Sequence, residues 1–193
     1  MKPSNLTALV LGLSIYSFAL TAEASNHFEI VEQSGKVLFS LSGEGSKYKL
    51  VDGQGKTLAT YKVKADKVKI ISAQGEEIAR VKGDVSKLKV KSSLGTIFKM
   101  KLQANSGYKI KDSGENTLYK LKIKKYGYKV KDAEGNEVAR LKMKGEKLQF
   151  VTAKRTTLAK GKKITPILAA LLNLDKVPLA VRFGMALRLS QQQ

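Results

Sequence analysis

The side chains with chemistry to offer are few in this sequence. His27 is its only imidazole, and there is no cysteine. A thiolate nucleophile, a thiolate metal site and a disulfide framework are therefore excluded together. A hydrolytic triad would have to rest on His27, close to the amino terminus, where chain ends are mobile. No catalytic residue is assigned on that basis, and the chain reads as a non-enzyme. Asp52, Asp112 and Asp132 recur at intervals that invite a calcium reading. Their neighbours lack the second and third carboxylates a calcium loop needs, so they read as turn caps and no metal ligand is assigned. Gly53-Gln54-Gly55 falls inside a hairpin pattern rather than between a strand and a helix, so it is a turn and not a phosphate loop. No cofactor is implied. The carboxylates of Glu76, Glu77, Glu134 and Glu137 fall at or beside expected turns, where solvation is their default state.

Charge is the signal that remains. The 193 residues carry 36 Lys+Arg against 16 Asp+Glu, a formal net charge of +20. Lys49, Lys69, Lys89, Lys109 and Lys129 are spaced by twenty residues, and Lys91, Lys111 and Lys131 follow two residues on. In extended chain, residues two apart share a face, so these eight lysines form the candidate polyanion-binding set. Returning strands add Lys62, Lys82, Lys122 and Lys142. Equivalent positions in successive hairpins lie roughly 10 Å apart, two strand spacings. That is close to the Debye length of about 8 Å at physiological salt, so the ladder repels itself and favours an anionic partner. Lysine on a wetted sheet face also serves solubility and blocks edge pairing. The basic side chains include only five Arg (Arg80, Arg140, Arg155, Arg182 and Arg188). Lysine acts as a point charge where arginine makes bidentate contacts, so recognition should be diffuse. Anionic lipid, lipopolysaccharide or acidic glycan fits that chemistry, with peripheral membrane contact. Nucleic acid does not, because Tyr48, Tyr108 and Tyr128 sit in the column that faces the core.

The element that must position these lysines is a repeat of twenty residues, beginning at Phe28, Tyr48, Val68, Leu88, Tyr108, Tyr128 and Leu148. The third residue of each copy is apolar (Ile30, Leu50, Ile70, Val90, Ile110, Val130, Phe150). So is the eleventh (Leu38, Leu58, Ile78, Phe98, Leu118, Val138, Leu158). Alternating apolar and lysine positions mark half-buried strands. Asp or Ser followed three residues later by Gly marks a type I turn with a glycine bulge. Val138 and its equivalents fall out of phase with the apolar set that follows, which predicts a bulge near each turn. The fold class expected is all-β with carboxy-terminal helices: an antiparallel meander of about seven hairpins curled into a barrel or barrel-like sheet, with an apolar carboxy-terminal helix packed on or inside it.

Three segments follow. Residues 1–24 carry Lys2, an apolar run from Leu6 to Leu20 and Ala22-Glu23-Ala24, the pattern of a secretory signal peptide cut near Ala24. An exported protein, periplasmic or secreted, is expected. Residues 25–163 form the β-hairpin repeat domain, and 164–193 a helical segment packing on the sheet. Two helices are expected there, Ile164 to Leu174 and Val177 to Leu189, with Pro166 and Pro178 in their first turns. Asp175-Lys176 interrupts the apolar run, so neither piece is long enough to span a bilayer. Arg182 and Arg188 raise a membrane-surface alternative, but the first helix has no polar face to keep in water, which favours burial.

The module of alternating strand, D-x-x-G turn and apolar-Ala-Arg-apolar-Lys, seen in Tyr128 to Lys142, Tyr48 to Lys62 and Val68 to Lys82, resembles the hairpins of the tubby-like superfamily. That group includes the tubby carboxy-terminal domain, the LURP-one-related proteins and the phospholipid scramblases. The resemblance implies a closed antiparallel barrel of about twelve strands around a hydrophobic carboxy-terminal helix. Ile167 to Leu174 stand in the central helix's place. It also implies a lipid or other hydrophobic ligand. The chain departs by having seven hairpins and an export signal, whereas tubby-type proteins meet phosphoinositides inside cells. The other twenty-residue repeat, the choline-binding module, needs a tryptophan-bearing cage, and this chain has no Trp.

Overall fold

The computed structural model describes residues 26–32, 34–104, 107–144, 147–152, 156–161 and 170–191. The signal-peptide expectation over 1–24 and most of the first expected helix lie outside the described residues. The seven repeats form fourteen strands among the described residues, two per copy. They are β1 (Asn26–Glu32), β2 (Val37–Glu44), β3 (Lys47–Asp52), β4 (Thr57–Lys64), β5 (Lys67–Ser72), β6 (Glu77–Gly83) and β7 (Lys87–Ser92). Then come β8 (Gly95–Gln103), β9 (Gly107–Asp112), β10 (Thr117–Lys124), β11 (Gly127–Lys131), β12 (Glu137–Lys144), β13 (Lys147–Thr152) and β14 (Thr156–Gly161). Each strand pairs antiparallel with its sequence neighbours, and β1 also pairs with β14, closing the meander into a barrel.

The repeat makes two kinds of connection, and they collect at opposite ends of the barrel. Turns within a copy form one rim, here the hairpin rim. At its best-formed turns an Asp carboxylate organises the backbone: Asp52 Oδ1 accepts from the Gln54 and Lys56 N–H groups, each at 2.9 Å. Gly55 closes that turn at φ +82°, a conformation glycine adopts without steric cost. In the fifth copy the glycine falls one place early, at Gly114, so Glu115 takes the left-handed position at φ +65°. Connections between copies form the other rim, the linker rim.

The expected bulges are present. Leu58, Ile78, Leu118 and Val138 each drop out of register beside the turn, because Leu50 faces Ala59 while Val51 faces Thr57, and so on around the barrel. The fourth copy differs from its place in the sequence alignment. Its turn is shorter, with Ser92 facing Gly95, so Ile97 is the residue skipped and Phe98 faces Val90. The equivalence of Phe98 with Leu58 and Val138 is thereby corrected.

The inward column is buried throughout its described length, with Leu50, Ile70, Val90, Ile110 and Val130 all at or near zero exposure. A helix, α1 (Leu179–Ser190), fills the lumen. Its residues from Phe183 to Leu189 are buried without a break, so every face is covered. It packs on β4–β7, and Phe183 also meets Phe28 of β1 edge-on at 5.8 Å between ring centroids. Pro178 stands one place before the helix rather than in its first turn, and its carbonyl accepts from the N–H groups of Val181 and Arg182. Of the first expected helix, Ala170 and Leu171 are helical and buried.

The two cations that raised a membrane-surface reading are spent inside. Arg188, 7% exposed, donates from Nε to the Gly83 carbonyl at 2.8 Å and from Nη1 to the Ala65 carbonyl at 2.9 Å. It thus ties the carboxy-terminal end of α1 to the linker rim, where a cation also meets the helix dipole favourably. Arg182 donates to the carbonyls of Val177 and Leu172. Tyr61 donates to the Ala180 carbonyl at 3.0 Å, and burial pushes its phenol pKa up. Tyr119 donates to Asp175 and its pKa is pushed up to about 12, chiefly by burial and then by that carboxylate. Among the described residues no helix is long and apolar enough to cross a membrane.

Gly184 sets how closely α1 approaches the wall. A Cβ there would stand 2.6 Å from Ile70 Cδ1 and 3.4 Å from Val81 Cγ2. Gly184→Ala gains about 1 kcal/mol of helix propensity but overpacks the contact by roughly 1–3 kcal/mol. Ile70→Val alone costs about 1 kcal/mol. It removes the clashing methyl, so in the Gly184→Ala background that cost shrinks by about 1 kcal/mol or changes sign. Denaturant melts of the four proteins measure this coupling, and strict additivity would refute the contact.

Candidate anion-binding face

Alternation puts the lysines on the outside of the wall, and the register decides which of them meet. One row crosses six strands from β4 to β9 as Lys64, Lys67, Lys82, Lys89, Lys99 and Lys111, each directly opposite the next. A second crosses β7 to β11 as Lys87, Lys101, Lys109, Lys120 and Lys131. Lys62, Lys69, Arg80 and Lys91 make a third. The nearest cation is thus one strand away, about 4.8 Å, rather than the two-strand separation expected from the repeat period. Like charges directly opposed destabilise a sheet. At 4 Å the repulsion is about 1 kcal/mol even at the dielectric of water.

Six of the eight candidate lysines lie in these rows, and a seventh, Lys129, joins the belt between Lys122 and Arg140. Lys89 and Lys109 each have a cation on both neighbouring strands. Lys91, Lys111 and Lys131 lie towards the hairpin rim. Lys49 stands apart, between Ser42 and Thr60, and is not part of a cation row. The outward positions of β1 and β2 include Glu29, Ser40 and Ser42, so the belt covers one sector of the barrel and not its whole circumference.

Three of the seven are clamped by carboxylates whose role was not read from the sequence. Glu77 bonds Lys69 and Arg80, each at 2.6 Å. Glu137 bonds Lys129 and, at 2.8 Å, Arg140. The two sites have identical spacing, sixty residues apart. Glu115 bridges Lys99 and Lys111. Each carboxylate sits beside a turn and reaches over two opposed cations. The expectation of solvated carboxylates is therefore corrected for Glu77 and Glu137. The cue was present in the E-x-x-R spacing after each turn, with a lysine eight residues before the Glu. The cations hold all three carboxyls below their ordinary range: Lys69 ahead of Arg80 for Glu77, Lys99 with Lys111 for Glu115, and Arg140 with Lys129 for Glu137, whose pKa falls to about 2.

Beside the Glu115 bridge, an open groove of about 360 Å³ is lined by Lys87, Lys99, Lys101, Lys109, Lys111 and Gln103. Chemically, this wall can hold an extended anion through many point charges, the guanidinium forks of Arg80 and Arg140 being engaged by Glu77 and Glu137. The candidate caps behave as such: Asp112 and Asp132 each accept a backbone N–H of their own turn, at 2.9 and 2.7 Å, as Asp52 does. His27 lies on β1, its backbone opposite Ser42.

No family model matches this chain, and no curated protein matches it. The X-ray structure of a protein from Arabidopsis thaliana is similar at a TM-score of 0.41 and 13% identity, over 80% of this chain and 92% of that one. A likeness at that level carries neither kinship nor function.

The bridged carboxylates give the wall a pH dependence of known sign. A group with a lowered folded pKa adds stability in full above its unfolded value, about 4.3 for Glu, and loses it as pH falls through the folded value. For Glu137 the window runs from there down to about 2. The Glu137 carboxyl is expected to titrate at about 2 by NMR, and Arg140→Gln to move its midpoint up towards the ordinary range. A midpoint unmoved by Arg140→Gln would remove the bridge from the account.

Proposed function

We propose that this chain is a non-enzymatic, exported binding or structural module of the cell envelope that contacts anionic surfaces through its lysine-rich strand faces. The observation that carries the reading is the register of the cation rows, with up to six lysines directly opposed across successive strands. Three carboxylates offset part of that repulsion, and Lys89, Lys91, Lys109 and Lys131 have no carboxylate within 4 Å among the described residues. Binding an anion relieves what remains and releases counterions. Lipid headgroups, lipopolysaccharide and acidic glycans share the required chemistry. The wall is lysine where a membrane-spanning barrel would carry an apolar band, so the contact is made from outside.

A second reading, a tubby-like barrel that binds a lipid or other hydrophobic ligand, is supported by the closed barrel around a carboxy-terminal helix. The helix already occupies the lumen, so such a ligand would sit at a barrel mouth or take the helix's place. Organic extraction of protein purified without detergent should then release a stoichiometric lipid, seen by mass spectrometry.

For the leading reading, the protein recovered after export should sediment with vesicles containing phosphatidylglycerol at low salt and not with phosphatidylcholine alone. Raising salt should release it, as the Debye length falls from about 10 Å at 0.1 M to about 3 Å at 1 M. Equal binding to both vesicles, or none at low salt, would defeat the proposal.

A further inference from the structure

The two ends of the barrel differ in chemistry. At the hairpin rim the turns carry acids: Asp52, Glu76, Asp112, Glu115, Asp132 and Glu134. At the linker rim the strand ends carry Lys64, Lys87, Lys101, Lys122 and Lys124, and Lys125 follows in a turn. Acids at both rims are engaged: here Asp66 is paired with Lys67 at 3.4 Å and Asp84 accepts from the Ser86 and Lys87 N–H groups, as Asp52, Asp112 and Asp132 accept within their own turns.

Exposed apolar groups occur at both rims, Leu94 and Ile78 beside hairpin turns and a larger cluster at the linker rim. Val85, Leu102, Ile123 and Tyr126 are each between 38% and 43% exposed, and all four lie at the linker rim. Leu102 is two residues beyond buried Met100 and Ile123 two beyond buried Leu121, so both stand on the lumen side of the wall where it opens. Among the described residues the helix packs chiefly on β4–β7, away from the β8–β11 side of this mouth. Behind them Tyr108 and Tyr128, their cross-strand partners, are half-buried. A hollow of about 610 Å³ opens here, with Leu102, Ala104 and Ile123 as its apolar lining and Lys87 and Lys101 among its lip.

We propose that the barrel docks end-on, linker rim down, on the surface of an anionic lipid leaflet. The lysine lip meets the headgroups, while Leu102, Ile123 and Val85 enter the acyl boundary. This rests on the anionic-surface reading and deepens it by naming the partner and the end of the molecule that meets it. Complementarity selects the occupant. An apolar floor ringed by ammonium groups matches a layer of anionic headgroups over hydrocarbon, the arrangement amphipathic surface helices exploit. A polysaccharide would satisfy the lysines and leave the apolar mouth in water.

The absence of cysteine makes the test direct. Val85→Cys at the linker rim and Leu94→Cys, whose parent leucine is 96% exposed at the hairpin rim, each create a unique labelling site on a turn. With a polarity-sensitive dye, vesicles of phosphatidylglycerol and phosphatidylcholine should shift the Val85→Cys emission to the blue and leave Leu94→Cys unchanged. Leu102→Ser with Ile123→Ser keeps the charge and should weaken vesicle binding about tenfold, since the exposed part of both apolar side chains would no longer leave water. Lys122→Gln with Lys124→Gln should weaken binding more than Lys91→Gln with Lys131→Gln. Thermal melts identify any variant that fails to fold, and the labelled proteins give the answer independently. Vesicle binding with equal responses at both labels, or with no response at either, would overturn end-on docking and leave the lysine wall as the contact. Binding to an acidic glycan but not to vesicles would overturn the lipid partner alone. No binding to either at low salt would end both proposals.

Discussion

A closed sheet of fourteen strands encloses more space than its own side chains can fill. Eight strands give an interior just wide enough for side chains to close, and diameter grows with strand number. Everything else in this molecule depends on how that lumen is occupied. The inward column supplies medium-sized groups, such as Leu50, Ile70, Val90, Ile110 and Val130, which reach inwards but cannot meet across the axis. The helix α1 supplies the missing volume. Being covered on all sides, it reads as almost uniformly apolar, and Gly184 marks where it comes nearest to the wall. Its two arginines are satisfied by carbonyls: Arg188 by two of the linker rim at one end, Arg182 by those of Val177 and Leu172 at the other. A buried guanidinium without those carbonyls would be strongly destabilising.

The outer surface follows from the same repeat. An antiparallel meander of identical hairpins places outward positions opposite outward positions, so a lysine used for solubility in one strand meets a lysine in the next. Twenty-residue copying therefore makes cation rows unless the sequence interrupts them. The interruptions are local: Glu77 and Glu137 stand at the bulge beside the turn and reach two cations at once, and Glu115 does so from the one turn, among the described residues, where a non-glycine residue takes the left-handed position. The bulge thus has two effects. It brings the out-of-phase apolar residue, such as Leu58 or Val138, against the edge of the core, and it sets a carboxylate beside the opposed cations.

Much of the fold was legible because burial acts one residue at a time. Third-column positions such as Ile110 announce an inward face without knowledge of any partner, and Asp-x-x-Gly announces its turn by local geometry. What was not legible depended on register, which is a property of two strands. Lys49 and Lys89 occupy the same repeat position, yet one faces Ser42 and Thr60 and the other faces two lysines. Phe98 kept the twenty-residue spacing while a shortened turn moved it into a different structural role. Arg188 and Arg182 read as surface cations because nothing local shows that a helix end will be tied to carbonyls far away in sequence. The pairing of Glu77 with Lys69 required knowing which face the bulge would present.

The unequal ends of the barrel have a physical origin in the turns themselves. Within each copy the tight turn needs side chains that accept backbone N–H groups, so the hairpin rim collects Asp and its acidic neighbours as a condition of folding. Among the described connections between copies, the same kind of cap is made by Asp84. They are connections of two or three residues, beside which Lys122, Lys124 and Lys125 lie close in sequence and leucine and isoleucine continue the inward alternation. That alternation leaves Leu102 and Ile123 more than a third exposed, while α1 packs chiefly on β4–β7. A sequence under pressure only to fold and stay soluble would place polar residues there, as it does at the tips of most of its turns. Apolar groups beside the rim's lysines are what the proposed end-on contact would use.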